Sequence, residues 1–158
     1  MDARRYDEAI ELVYLAHREL VAEPDRLLAR RGLGRVHHRV LYCIARRPGV
    51  TIGELCRMLG VTKQALHQPL ATLVDDRLVA RTMDPANRRI RHLELSASGV
   101  RLEQRLAATQ RRRFERAFGD AGDLAVASWR VVMKHLAARP SLGSRASTDG
   151  APRTRRPT

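Results

Sequence analysis

Two short amphipathic segments on either side of Gly60 constrain the fold more than any other feature of the sequence. Thr51 and Thr62 each precede one segment, and threonine commonly caps the N-terminus of a helix. Glu54 follows Thr51 at the spacing of a capping box, in which hydroxyl and carboxylate satisfy each other's backbone donors. Because a tight glycine turn joins the two segments, residues 51–78 are predicted to form a helix-turn-helix.

Each segment carries one apolar face at helical spacing. The apolar residues are Ile52, Leu55, Cys56 and Leu59 in the first segment and Leu66, Leu70, Leu73 and Val74 in the second. The opposite face of the second segment carries Lys63, Gln64, His67, Gln68 and Thr72. Such side chains can bond base edges and phosphates in a DNA major groove. The alternative is an ordinary solvated surface, because the outer face of any surface helix is polar.

The distribution of positive charge favours a polyanionic partner. The 158 residues carry a formal net charge of +13. Residues 1–33 have a net charge of −1, residues 34–95 have +6, and residues 96–137 and 138–158 have +4 each. The excess therefore lies with the helix-turn-helix and the C-terminal part, as expected of a nucleic-acid-binding protein. A solvated basic surface remains the alternative interpretation.

The segment before the helix-turn-helix is predicted to be helical. An apolar stripe runs from Tyr6 to about Ala22, and Pro24 predicts a kink or a break because proline cannot continue a regular helix. A second subunit is the expected cover for the stripe. Another helix is predicted over about residues 35–46. Its residues expected to face the core are Val36, Val40, Cys43 and Ile44.

A hairpin is predicted directly after the helix-turn-helix. Residues 78–82 are predicted to form its first strand. In residues 90–95 the side chains alternate between two faces, as expected of a half-exposed second strand. Residues 84–87 contain the Asp, Pro and Asn that favour turns. Arg88 and Arg89 are therefore expected near the tip of the hairpin.

The C-terminal part is predicted to contain two helices and a tail. The first helix is capped by Ser96 or Ser98 and is broken around residues 119–122. The last helix covers about residues 124–136, and its wide apolar arc predicts burial on more than one side. From Ala138 onward almost nothing can be buried, which predicts a disordered basic tail.

Several classes of protein are disfavoured by what the sequence does not contain. No apolar run reaches the roughly 18 residues of a membrane span, and no signal peptide is evident, so a soluble cytoplasmic protein is expected. No catalytic or metal-binding motif is present, so neither an enzyme nor a cofactor or metal site is expected. Cys43 and Cys56 lie on apolar faces and are interpreted as buried structural thiols, with redox sensing as the alternative.

Three motifs occur in one order along the chain. They are Gly-Val-Thr-Lys-Gln-Ala-Leu at 60–66, Leu-Val-Ala-Arg at 78–81, and Asp-Pro-Ala-Asn-Arg-Arg at 84–89 followed by Leu-Ser-Ala-Ser-Gly at 95–99. Over roughly residues 6–137 the sequence thereby resembles the MarR family of winged-helix transcriptional regulators. The resemblance implies a homodimeric repressor or activator that binds a palindromic double-stranded DNA operator, with two helices entering major grooves about 34 Å apart.

The resemblance also implies the fold class, a mainly α protein with a small β-wing. It assigns residues 1–33 to an N-terminal dimerisation helix, 34–95 to a winged helix-turn-helix DNA-binding domain, 96–137 to C-terminal dimerisation helices, and 138–158 to the basic tail. It places Arg89 in a minor groove and Arg88 on a phosphate. The major-groove candidates that it implies are Thr62, Lys63, Gln64, His67, Gln68 and Thr72.

Three positions depart from the family pattern. Asn87 stands where an aspartate usually orients the wing arginine, and Arg77 replaces a helix-ending glycine. Pro69 lies inside the DNA-reading helix, where it either is a tolerated bend or re-aims Gln64 and Gln68. These departures support an alternative function, in which the winged helix has lost specific operator recognition and serves as a protein-interaction module.

A small-molecule effector is a further implication of the resemblance. The family's pocket lies between the dimer helices and the DNA-binding domain, so Tyr14, His17 and His37 are candidates to line a site for a phenolic or anionic molecule. The alternative interpretation of His17 and His37 is that both are core histidines with satisfied hydrogen bonds.

Overall fold

The computed structural model describes residues 3–87 and 90–138, and these residues are mainly helical with one small antiparallel sheet. The elements are α1 (Ala3–Ala29), α2 (Arg35–Arg46), β1 (Val50–Thr51), α3 (Ile52–Leu59), α4 (Lys63–Asp75), β2 (Val79–Met83), β3 (Arg91–Leu95), α5 (Ala97–Ala121) and α6 (Asp123–Ala137). The predicted fold class is therefore confirmed. The predicted tail, residues 138–158, lies outside the described residues except for Ala138.

The helix-turn-helix forms where the sequence predicts it. The Thr51 hydroxyl accepts a bond from the Glu54 backbone N–H, and the Glu54 carboxylate accepts one from the Thr51 N–H at 2.9 Å. These bonds to Thr51 hold the pKa of Glu54 below its usual value. Gly60 ends α3 in the left-handed region with φ 67°, and the Thr62 hydroxyl caps α4 by accepting from the Ala65 N–H at 3.1 Å.

The sheet is larger than the predicted hairpin because a third strand joins it. The strand order is β1-β3-β2, and both pairings are antiparallel. Val50 in β1 pairs with Leu93 in β3, and both side chains are buried. The sheet thus closes one side of a core to which α2, α3 and α4 contribute Val40, Leu41, Ile44, Leu55, Leu66, Leu70 and Leu73.

The local predictions have different outcomes. Val36 was predicted to face the core, which is wrong because it is 39% exposed, whereas Leu41 is fully buried. The helix does not break at Pro24, since α1 continues to Ala29, and the alternative of a kink there stays a prediction. The break predicted around residues 119–122 is confirmed at Gly122, where φ is 79°, although Gly119 still lies inside α5.

The N- and C-terminal helices expose much of their apolar surface. The contacts between residues divide the chain after Ala117 into two compact units, residues 1–117 and 118–158. In the first unit, Ile10 and Tyr14 on α1 are 68% and 71% exposed. In the second, α6 buries none of its residues within the chain, although its apolar arc had predicted burial. The predicted division into dimerisation and DNA-binding segments stays a prediction.

Gly99 in the first turn of α5 is required by close packing. A Cβ at this position would overlap the carbonyl oxygen of Leu78, which already accepts a bond from the Ser96 N–H at 3.0 Å. Gly99→Ala is expected to lower the free energy of unfolding by about 1–3 kcal/mol, because a backbone atom cannot move aside as a side chain can. Urea denaturation measures the change.

Gly53 in α3 offers the matched control for Gly99. A Cβ there would meet nothing within 4 Å, and its φ is not positive. Gly53→Ala is expected to raise the free energy of unfolding by roughly 0.5–1 kcal/mol, because alanine loses less conformational freedom in a helix. Equal stabilities of the two variants would contradict the proposed overlap at Gly99.

Candidate nucleic-acid interface

The outer side of α4 is an exposed polar surface. Gln64, His67 and Gln68 are exposed there, and Lys63 is exposed in the first turn. The opposite side of α4 is buried through Leu66, Leu70 and Leu73. The side chains of Gln64, His67 and Gln68 make no hydrogen bond or ion pair with any residue that the structure describes. Their donors and acceptors are therefore available to a partner.

Thr62 and Thr72 differ from the other candidates because each already bonds the backbone of α4. The Thr62 hydroxyl caps the helix, and Thr72 is half-buried with its hydroxyl donating to the Gln68 carbonyl at 3.1 Å. Pro69 lies between them inside a continuous helix and has no N–H to donate to the carbonyl of Ala65. Thr62 and Thr72 thus shape the helix as well as being candidates for contact.

The wing is the β2–β3 hairpin together with its connecting loop. Its register runs from the pair Val79 and Leu95 to the pair Met83 and Arg91. One carboxylate oxygen of Asp84 accepts bonds from the N–H groups of Ala86 and Asn87, both at 2.8 Å.

The wing arginines predicted from the sequence, Arg88 and Arg89, lie outside the described residues. What the structure describes is therefore the base of the hairpin and the loop through Asn87.

His92 is a functional candidate that the sequence analysis did not identify. Its Nδ1 lies 2.8 Å from the carbonyl oxygen of Gly49, and its Nε2 lies 2.9 Å from a carboxylate oxygen of Asp84. The Asp84 carboxylate, followed by the Gly49 carbonyl, raises the pKa of His92, while His92 in turn lowers the pKa of Asp84. The only signal for this contact in the sequence was that Asp84 begins a predicted turn and His92 lies on the strand that follows it.

Arg77 stands where the family usually has a helix-ending glycine, and it adopts the left-handed backbone conformation that glycine favours. Its φ is 57°, and among the described residues it is the one non-glycine residue with a positive φ. Such a conformation costs a non-glycine residue roughly 1–2 kcal/mol. The hydroxyls of Ser96 and Ser98 both donate to the Arg77 carbonyl, at 2.7 and 3.0 Å, and so tie the start of α5 to the end of α4.

The effector candidates are not brought into one described cavity. Tyr14 and His17 are exposed on α1, so a core histidine is wrong for His17 within the single chain. His37 is half-buried, and its Nδ1 accepts a bond from the Gly34 N–H at 3.0 Å. Burial lowers the pKa of His37. His37 therefore has a clear structural role in closing the N-terminus of α2.

Two cavities in the described part of the chain are lined by other residues. One of about 230 Å³ is lined by Leu27, Arg30, Arg31, Leu102 and Arg105. The other, of about 330 Å³, is lined by Ile44, Ala45, Pro48, Glu94, Leu95, Val100, Glu103 and Gln104. The first combines an apolar floor with three positive charges, which suits a small anion that has an apolar body.

The remaining reactive groups show no site. Cys43 and Cys56 are both buried, as predicted, and burial raises the pKa of the Cys43 thiol. Within residues 3–87 and 90–138, no group of three or more histidine, cysteine, aspartate or glutamate side chains is placed to hold a metal ion. No helix among these residues has both the length and the apolar character that a membrane span requires.

Comparison of the sequence with known proteins identifies one family and one similar regulator. A model of the MarR family matches residues 31–90. The HTH-type transcriptional regulator PetP of Rhodobacter capsulatus is 42% identical over 129 residues, which cover 82% of this chain and 78% of that protein.

Solved structures of similar fold include two that contain DNA. Streptococcus pneumoniae FabT in complex with DNA matches with a TM-score of 0.74 at 20% identity, covering 85% of this chain and 94% of that one. A mutant of MarR from E. coli, complexed with operator DNA, matches with a TM-score of 0.66 at 18% identity, covering 87% of this chain and 100% of that one. At these identities the likeness shows the fold.

Proposed function

The chain belongs to the MarR family of transcriptional regulators, and from this premise we propose that it binds double-stranded DNA sequence-specifically as a homodimer. The observation that carries the proposal is the outer side of α4. Gln64, His67 and Gln68 are exposed there without partners among the described residues, on a helix that is fixed by Leu66 and Leu70 beneath it. Exposed amide and imidazole groups on a helix suit base edges in a major groove.

Charge and the similar structures support the same function. Residues 34–95, which include α4 and the wing, have a net charge of +6. Positive charge near a reading helix attracts the phosphate backbone, whatever the base sequence. FabT and MarR share this fold and were each solved with DNA. On this proposal, Lys63 and the wing contact the backbone while Gln64 and Gln68 contact bases.

The homodimer is proposed from the exposed apolar helices. On α6, Leu124, Val131, Val132 and Leu136 are all more than half exposed, and on α1 the same holds for Ile10, Leu12 and Tyr14. Contiguous exposed apolar surface on a soluble domain commonly marks an interface. A two-fold dimer would present two copies of α4 to a palindromic site with half-sites about 34 Å apart.

Binding to the DNA upstream of the protein's own gene, against a shuffled duplex, tests the proposal. A dimer with about 6–10 phosphate contacts should lose about 10³- to 10⁵-fold in affinity between 50 and 200 mM salt. A preference of about a thousandfold or more for the upstream DNA supports base reading. Equal binding to both duplexes with a steep salt dependence would mean that the protein binds DNA through charge alone, without reading bases.

The alternative function is a protein-interaction module without operator recognition. Two observations favour it: Pro69 interrupts the bonds of α4, and Arg77 holds a strained backbone at the end of that helix. Failure to bind either duplex, with the dimer and the fold intact, would make this module the better account.

Effector control is a separate part of the proposal. A small phenolic or anionic molecule would use Tyr14, His17 and His37, as the family resemblance implies, or the cavity lined by Arg30, Arg31 and Arg105. Titration with salicylate is expected to change the DNA affinity of the wild type, and Arg105→Gln should reduce that response if the arginine cavity is the site. Tyr14→Phe should reduce the response instead if the effector binds at Tyr14, His17 and His37. No change in DNA affinity would argue against an effector of this class.

A further inference from the structure

His92 connects two loops that are distant in the sequence. Its ring joins the Gly49 carbonyl, 43 residues away in the turn before β1, to the Asp84 carboxylate at the start of the wing loop. Both His92 and Asp84 are half-buried. The second oxygen of Asp84 holds the N–H groups of Ala86 and Asn87. One carboxylate therefore both shapes the wing loop and ties it, through His92, to the helix-turn-helix side of the sheet.

The geometry requires two donors on the imidazole ring. Gly49 presents a carbonyl oxygen and Asp84 a carboxylate oxygen, so both partners can only accept. Neutral histidine has one N–H and one bare nitrogen, whereas the protonated form has two N–H groups. In the neutral state one of the two contacts would set a lone pair against an oxygen. Only the protonated ring makes both bonds at once.

The charged groups around His92 favour its protonated form. Asp84 on the wing loop and Glu54 on α3 both act on it, and both are acidic. The bonds from Thr51, and after them the charges of Arg57 and Arg47, lower the pKa of Glu54 and keep that carboxylate ionised. Burial opposes the charge, but the pKa of His92 is raised above 6.5. Because the folded pKa is the raised one, the connection is complete below pH 6.5 and is lost as the pH rises through the raised value.

We propose that protonated His92 is a positioning residue that fixes the wing loop, residues 84–87, against the turn before β1 and thereby makes DNA affinity depend on pH. The inference rests on the proposed DNA-binding function. It concerns a residue that does not touch DNA in this account, since His92 acts through Asp84 and Gly49. Loosening the loop should weaken the wing's contribution to binding while leaving the outer side of α4 unchanged.

The link itself is tested without DNA. NMR titration of the full-length protein with labelled histidine gives the pKa of each imidazole, and His92→Gln identifies the His92 signal. The pKa of His92 is expected above 6.5 in the wild type and lower in Asp84→Asn. Asparagine keeps an oxygen for the N–H groups of Ala86 and Asn87, so the variant removes the charge while retaining the loop's acceptor. An unshifted His92, or one insensitive to Asp84→Asn, would overturn the inference.

The consequence is tested by DNA affinity between pH 6 and pH 9 at constant ionic strength. Wild-type affinity is expected to fall across this range by on the order of tenfold more than that of His92→Gln, a typical size for coupling between two sites. His67 is present in both proteins, so its contribution cancels in the comparison. Glu94→Gln, an exposed change on the same strand, should keep the wild-type profile.

The outcomes separate this inference from the proposed function. Identical pH profiles for wild type and His92→Gln, with operator preference intact, overturn the positioning role alone. Absence of operator preference in both proteins at every pH overturns the proposed function and this inference with it. A profile that flattens in both His92→Gln and Asp84→Asn supports both, because the amide introduced by Asp84→Asn can donate to the bare nitrogen of the neutral ring, so that the link no longer requires protonation.

Discussion

Val132→Glu is expected to convert the proposed homodimer to a monomer and to lower its affinity for a palindromic operator by about a thousandfold or more. Val132 is 56% exposed in the chain and lies on the apolar side of α6. Two-fold symmetry would bring both copies of the new carboxylate into the interface, where an unpaired buried charge is strongly unfavourable. A monomer would keep one reading helix and approach the affinity of non-specific binding.

Sedimentation equilibrium measures the mass, and DNA titration with the same samples measures the affinity. Arg130→Glu is the matched control, because Arg130 is exposed on the polar side of α6 and does not share a helix face with the interface residues at three- or four-residue spacing. That variant should remain dimeric and bind DNA as the wild type does. A Val132→Glu protein that is folded, dimeric and fully active would remove α6 from the proposed interface.

The helix-turn-helix could be predicted from the sequence because its determinants are local. Thr51 with Glu54, Gly60 and Thr62 each act within one turn of the chain, and the structure contains every one of those caps. The apolar spacing of Leu66, Leu70 and Leu73 then fixes which side of α4 is buried. The same spacing leaves the polar candidates outside, so most of the candidate interface was predictable.

The features that were missed depend on contacts between distant residues. Strand β1 has two residues, too few for any alternation to be visible, and it exists because β3 pairs with it. The bridge made by His92 joins Gly49 and Asp84, which only the assembled sheet brings together. The sequence shows that Pro24 removes a helix bond, but it does not show that α1 continues past Pro24 with the proline ring fully buried.

Gln64→Ala is expected to lower the preference for the operator over a shuffled duplex by about 30-fold to 10⁴-fold. Gln64 is exposed near the start of α4, where an amide can bond an adenine bidentately. Such a pair contributes about 1–3 kcal/mol of discrimination, and a dimer has two of them. Alanine is a good helix former, so stability should change little. Competition binding with both duplexes measures the preference.

Lys63→Ala separates reading of bases from attraction to charge. Lys63 is exposed one residue before Gln64, and as a phosphate contact it should weaken binding to every duplex alike. The dependence of affinity on salt should become shallower by about two contacts per dimer, while the preference for the operator remains. If Gln64→Ala instead weakened both duplexes equally, the outer side of α4 would act through charge and shape. Specificity would then have to come from the wing or from deformation of the DNA.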